Sequence, residues 1–327
     1  MNKTLKTIEF DKVLEILSGF AVSKLGKKRC LEVLPLVDSD EIKLAQTLTT
    51  QAQNAYRLSA SSIPVSGLED ITDALSLLKN KIALCVEDVK NIYGILCDAR
   101  KFSSFLHKYA ENEDKLFDFT HKLFVLTDIE QKIQDIFDAG FNVKESASLE
   151  LKSLFQAQRD TNENLKHTIS DLMKNSAFTS YLQDNRIVFQ VKAESKNKIQ
   201  GIVHDISQSG QTYFIEPKQV VGLNNKLREL EISIESEIQK IIKELSSEIA
   251  QYYEEIKSSF EALIELDFIF AKAKYSTAID ACEPEILEKP VIELKSMKNP
   301  VLLSILDKVV ENDFSIGEPY KSIIITG

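Results

Sequence analysis

Gly201-Ile-Val-His-Asp-Ile-Ser-Gln-Ser-Gly-Gln-Thr-Tyr-Phe-Ile-Glu-Pro217 alternates apolar and polar residues on both sides of a Ser-Gln-Ser-Gly turn and stops at a proline. Ile202 with Ile206, and Tyr213 with Ile215, recur at even spacing, the period of a pleated strand. A preceding run, 186–193, places Ile187, Phe189 and Val191 on one face. The expectation is a β-meander pattern over 201–217 and, in all, three short strands over 186–193, 199–206 and 211–216. Their connections, 194–198 and 207–210, carry turn chemistry.

The flanks are helical. Upstream, 149–183 has apolar residues at Leu151, Leu154, Leu165, Ile169 and Leu172, with polar Gln158 and Asn162 between them. So thin a stripe suits one strand of an exposed two-helix arm. Downstream, from 218 to 280, Leu223, Leu227, Leu230, Ile234, Ile238, Ile241, Leu245, Ile249, Tyr252, Ile256, Phe260 and Leu263 repeat a 4-3-4 spacing. That eleven-residue period, ~3.67 residues per turn, predicts one nearly straight helix. At ~1.5 Å per residue it would run roughly 90 Å, so part of it must project.

Residues 7–138 read as a series of amphipathic helices. Pro35 stops the second, Asp38 or Ser39 caps the third, and 63–67 is a break. Helices resume over 68–79, 86–110 and 113–138 with the short loops of a bundle. After Glu283, Pro284, Pro290, Pro300 and Pro319 punctuate short β-like runs at 291–294 and 309–310. Ile323-Ile-Ile325 reads as a strand buried on both faces, the kind found in a parallel α/β sheet. A domain reaching only its first buried strand would be incomplete, so a fragment is expected.

The composition agrees with a mainly α fold: 327 residues, 43% hydrophobic, 28% charged, with 10 Gly and 7 Pro. The net charge of −10 excludes nucleic-acid binding by the surface as a whole and leaves local patches. Cys30, Cys85, Cys97 and Cys282 lack metal-ligand or redox spacing and read as reduced thiols. No leader or run of ~18 apolar residues stands out, so no membrane partner and a cytoplasmic location are expected.

Four stretches carry a resemblance: Ile8-Glu-Phe-Asp-Lys-Val-Leu14 with Ser23-Lys-Leu-Gly26; 201–217; Leu223-Asn-Asn-Lys-Leu-Arg-Glu-Leu230; and Glu265-Leu-Asp-Phe-Ile-Phe-Ala-Lys-Ala273. Together they resemble the N-terminal part of a bacterial MutS-type ATPase of the MutS-two branch, which lacks the mismatch-reading domain and is tied to recombination control. The resemblance implies a helical core/lever body over 1–145 and a long antiparallel coiled-coil arm over 146–240, with a β clamp (186–217) at its tip. The long helix would return into the core over 241–282, and 283–327 would begin an α/β ATPase domain. It also implies a dimeric parent that uses ATP and magnesium and carries a C-terminal nuclease domain. The fragment itself would be a monomer or weak dimer, with no cofactor of its own.

The family's phosphate loop follows a strand directly, which puts Gly327 where its first glycine would be. The loop's Lys and the magnesium ligands would then lie beyond this chain, so no enzyme activity is expected of it. Val309 and Asn312 match the stretch against which the family packs adenine. Where relatives carry Arg-His-Pro-Leu, this chain reads Lys298-Asn-Pro-Val301.

The best contact candidates are Arg186, Lys192, Lys196 and Lys198, four cations against Glu194 over 186–204, a local +3. Long basic side chains on a small sheet neutralise phosphates without reading bases. Ser207 and Ser209 either make turn hydrogen bonds or sit in a loop whose amides accept a phosphate. His204 with Asp205 and the serines is not a catalytic triad, because neighbours on a strand point to opposite faces. His107, His121 and His167 are isolated. Two readings follow: an arm that grips duplex or branched DNA, or a scaffold whose arm docks on protein or on the ribosome.

Overall fold

The computed structural model describes residues 3–65, 68–174, 178–183, 186–306, 308–317 and 320–324. Along the chain come helices α1 Lys3–Thr7, α2 Phe10–Ser18, α3 Lys24–Leu31, α4 Ser39–Leu58, α5 Thr72–Lys79, α6 Val86–Tyr109 and α7 Thr127–Ile136. A 3-10 turn, Phe117–His121, precedes α7, and another, Glu145–Ala147, precedes α8 Leu149–Lys174. Strands β1 Thr179–Gln183, β2 Arg186–Lys192, β3 Gly201–Ile206 and β4 Thr212–Pro217 follow, with a 3-10 turn Ala193–Lys198 between β2 and β3. Helices α9 Lys218–Ile249 and α10 Tyr253–Ala278 are joined through the 3-10 turn Ala250–Tyr252. Last come β5 Ile292–Met297, α11 Pro300–Leu303 and β6 Asn312–Ile316. The fold is mainly helical with small antiparallel sheets. It divides into two compact units, Met1–Gln131 with Glu248–Gly327, and Lys132–Ser247.

In the first unit α10 is the centre. Ile256, Phe260 and Leu263 are buried along one face, and all six residues Leu266–Ala271 are buried in succession, as expected of a stretch of helix packed on every side. It contacts α2, α3, α4, α5 and α6. Phe270 meets Phe102 and Phe105 of α6 edge-on at 5.5 and 5.6 Å, the favoured geometry for ring quadrupoles. Asp38 caps α4, its Oδ1 accepting from the Asp40 and Glu41 amides at 3.0 Å each.

The second polar anchor of this unit is Asp267, which is fully buried. Its Oδ1 accepts from Val22 N at 3.0 Å, and its Oδ2 from Ser23 N at 2.9 Å and Ser23 Oγ at 2.6 Å. Ser23 Oγ in turn accepts from Gly26 N at the start of α3. A Cβ at position 26 would collide with the Asp267 carboxylate. Two of the stretches quoted above are thus two halves of one buried joint between α3 and α10.

In the second unit the sheet order is β1-β2-β4-β3, antiparallel throughout. One face packs Phe189, Val191 and Ile215 on Leu165 and Ile169 of α8 and on Val220 at the start of α9. Leu223 and Leu227 of α9 cover the same core. Further along, Ser148 and Glu150 meet Glu237 and Lys240, so α8 and α9 run antiparallel.

Several expectations are corrected. The 201–217 pattern pairs as the antiparallel β3–β4 hairpin, but the three expected strands are not neighbours in chain order: β4 lies between β2 and β3, because the 193–198 connection crosses β4 instead of turning back beside β2. The helix expected to 183 ends at Lys174, and Thr179–Gln183 is an edge strand. Its Tyr181 and Leu182 are exposed, so burial left no alternation to read. The run 113–138 splits into a 3-10 turn and α7. The long helix breaks at Ala250–Tyr252, although its stripe stays buried on both sides of the break at Leu245, Ile249, Ile256 and Phe260. Residues 322–324 form no strand, and Ile324 is 89% exposed; a doubly buried strand needs neighbours on both edges, and none pairs with it among the described residues. The expected strand at 309–310 begins only at Asn312.

Candidate nucleic-acid interface

The buried carboxylate of Glu216, near the end of β4, organises the second unit. It has no solvent exposure and takes hydrogen bonds from three directions. Arg186 Nη1 donates to Oε1 at 3.0 Å, Asn224 Nδ2 to Oε1 at 2.7 Å, and His204 Nε2 lies 2.6 Å from Oε2. Arg186 Nη2 also donates to Asn225 Oδ1 at 2.7 Å, and Asn224 Nδ2 reaches Ile187 O at 3.2 Å. Burial alone would raise the Glu216 pKa. The hydrogen bonds from Asn224 and His204, with the Arg186 guanidinium, outweigh it and hold the group below its ordinary 4.5. The register shift between Val203 and Asp205 in β3 falls at His204, whose ring reaches Glu216.

Sequence reasoning missed this hub. Its signal was an Asn pair in a helix, where Asn is disfavoured unless its amide has work to do; Asn224 is 3% exposed. The third quoted stretch closes on the second through Asn224 and Glu216.

The sequence-derived candidates now separate. The guanidinium of Arg186 is engaged inside the hub. Lys192 ends β2, and Lys196 and Lys198 lie on the turn that follows; all three are exposed. Among the described residues none of the three has a carboxylate within ion-pairing distance, and Lys196 Nζ sits 4.3 Å from the Tyr213 ring centroid. Without Arg186 the local balance is three cations against Glu194.

Ser207 is occupied by the β3–β4 turn: its Oγ accepts from Thr212 N at 3.1 Å, and its carbonyl from Gly210 N at 2.8 Å. Gly210 there has φ +68, a left-handed conformation that suits glycine. Ser209 is exposed, its Oγ 3.4 Å from that of Ser207. Asp205 accepts from Ile206 N, so His204, Asp205 and Ser207 form no relay.

In the first unit, Val309 is half-buried and Asn312 begins β6, exposed. Asn299 caps α11, its Oδ1 accepting from Val301 N and Leu302 N, which spends that side chain on the helix. Gly327 lies outside the described residues. No cluster of three metal-ligating side chains occurs among the described residues, and no helix there is long and apolar enough to cross a membrane.

No family model matches the chain. Curated relatives do. It is 32% identical over 335 residues to "Endonuclease MutS2" of Clostridium perfringens (strain SM101), across 100% of this chain and 42% of that protein. It is 32% identical to "Putative endonuclease MutS2" of Bacillus subtilis and 35% identical to "Endonuclease MutS2" of Ligilactobacillus salivarius, in each case across 99% of this chain and 42% of the relative. The chain therefore spans less than half the length of the relatives it matches. On identity of this level sustained from end to end, the chain belongs to the MutS2 branch of the bacterial MutS family.

Proposed function

We propose that the second unit is a clamp module that grips duplex or branched DNA through its phosphates, in a MutS-type protein that acts in recombination or repair. The observation that carries this reading is the trio Lys192, Lys196 and Lys198: exposed, unpaired by carboxylates among the described residues, and spaced along the β2–β3 connection from the Thr212 end of β4 towards its Pro217 end, in a chain of charge −10. Such cations add affinity by releasing counterions, without sequence preference. The sheet has its own core, so the lysines sit on a folded platform and not on a loose loop. Membership of the family supports an intact protein that is a dimer and hydrolyses ATP with magnesium, opening and closing the clamp. The relatives' printed name supports an endonuclease activity in the rest of the protein. In this reading the sheet caps a helical arm, 283–327 belongs to the ATPase domain with Val309 and Asn312 near the adenine, and the protein works in the cytoplasm.

A second reading rests on β3, every residue of which is exposed. Ile202, Val203 and Ile206 on an open edge strand suit docking on protein, a ribosome included. A side-by-side binding assay with duplex DNA, a four-way junction and ribosomes tests the choice. Salt-sensitive binding to either DNA is expected; a saturable ribosome complex with negligible DNA affinity would overturn the DNA reading in favour of the second.

A further inference from the structure

A cavity of about 790 Å³ opens in the first unit among α3, α4, α10 and residues 281–284, within the range of small-molecule sites. Its walls are apolar at Leu34, Leu36, Ile42 and Ile269, and Phe268 lies against α3. Leu34 and Leu36 at its edge are 65% and 46% exposed, apolar surface left in water.

Two cations share the Phe268 ring, Arg29 Cζ and Lys272 Nζ each 4.6 Å from its centroid. They are not equivalent. Arg29 Nε pairs with Glu265 Oε2 at 2.9 Å. Lys272 has no carboxylate within ion-pairing distance among the described residues, and burial pushes its ammonium down, with Arg29 adding to the shift and Glu265 opposing it. Three carboxylates also line the cavity: Glu265 is half-buried and held by Arg29, whereas Glu32 and Glu283 are exposed, and Glu283 accepts the Thr50 hydroxyl; solvent screens exposed charges of this kind. The half-buried ammonium is therefore the place where an added anion gains most.

We propose that this cavity binds a small amphipathic anion, its carboxylate on Lys272 and its alkyl or aryl body along Leu34, Leu36 and Ile42. The site is independent of the nucleic-acid reading. Cys282 lines the cavity and is exposed, whereas Cys85 is exposed but not part of the lining, so the two thiols report on occupancy with an internal control. Alkylation of both by iodoacetamide is followed by mass spectrometry on the 327-residue chain, with decanoate as the probe and 1-decanol as its uncharged counterpart. Decanoate at about ten times its Kd is expected to slow modification of Cys282 about ten-fold and to leave Cys85 unchanged.

Decanol should bind about ten-fold more weakly, because it lacks the charge-assisted hydrogen bond, and Lys272→Met should remove that preference for the anion. Ala45→Phe, which narrows the cavity on its α4 wall and keeps both cations, should weaken protection; thermal melting of both variants checks that they are folded. Equal protection by decanol and decanoate, protection of Cys85 to the same degree, or undiminished protection in a folded Ala45→Phe variant would overturn the proposal.

Discussion

Glu216 and Asp267 do comparable work in the two units. Each is a carboxylate without solvent exposure, held in part by a donor from an earlier stretch of chain, Arg186 for Glu216 and Ser23 for Asp267. Removing one donor from such an arrangement costs about 1–3 kcal/mol, since the buried carboxylate keeps only its remaining hydrogen bonds. Arg186→Ala is therefore expected to lower the urea midpoint of the second unit and to leave the salt slope of DNA binding unchanged, which separates it from the three lysines; an unchanged midpoint with a reduced slope would return Arg186 to the interface.

The pH dependence has a definite sign. The folded-state pKa of Glu216 is depressed, so its contribution is fully present above the ordinary 4.5 and is lost as pH falls through the lower folded value. Glu216→Gln should flatten that part of the acid limb in a pH series of urea melts, while the wild type loses stability over it. In the first unit Gly26→Ala forces a methyl onto Asp267; a loss of about 2 kcal/mol or more, read as a fall in Tm, is expected.

At the scale of elements, the sheet stands on one small core, so a large-to-small change there acts on a whole unit. Phe189→Ala should cost about 3–5 kcal/mol. Hydrogen exchange should show protection lost across β2, β4 and the neighbouring ends of α8 and α9, with α6 and α10 unaffected. Much of this layer was legible in the sequence. Ile187, Phe189 and Val191 announced β2, and the 4-3-4 stripe announced α9 and α10, because burial on one face leaves a period.

What could not be read had no such imprint. Strand β1 exposes Tyr181 and Leu182, so nothing distinguished it from a helix end. The 3-10 turn at Ala250–Tyr252 lies inside an uninterrupted apolar stripe with no Gly or Pro to mark it. The β4-between order depends on a turn that crosses a strand, and a local pattern carries no record of that. Among site residues, the charge run at Lys192, Lys196 and Lys198 was visible. The withdrawal of Arg186 from it was not, since its partners lie 30 and 39 positions away.

For the whole molecule, the proposed phosphate contact rests on a local basic surface in an acidic chain. Long-range attraction then contributes little, and the affinity has to come from a few close cations. The most direct test is the dependence of duplex affinity on salt concentration for the 327-residue chain and for Lys192→Ala, Lys196→Ala and Lys198→Ala. Affinity is expected to fall steeply with salt, with a log–log slope reduced by about 0.9 for each lysine removed, equally for unrelated duplex sequences. Duplex binding that is insensitive to salt and to all three substitutions would contradict phosphate contact by these lysines.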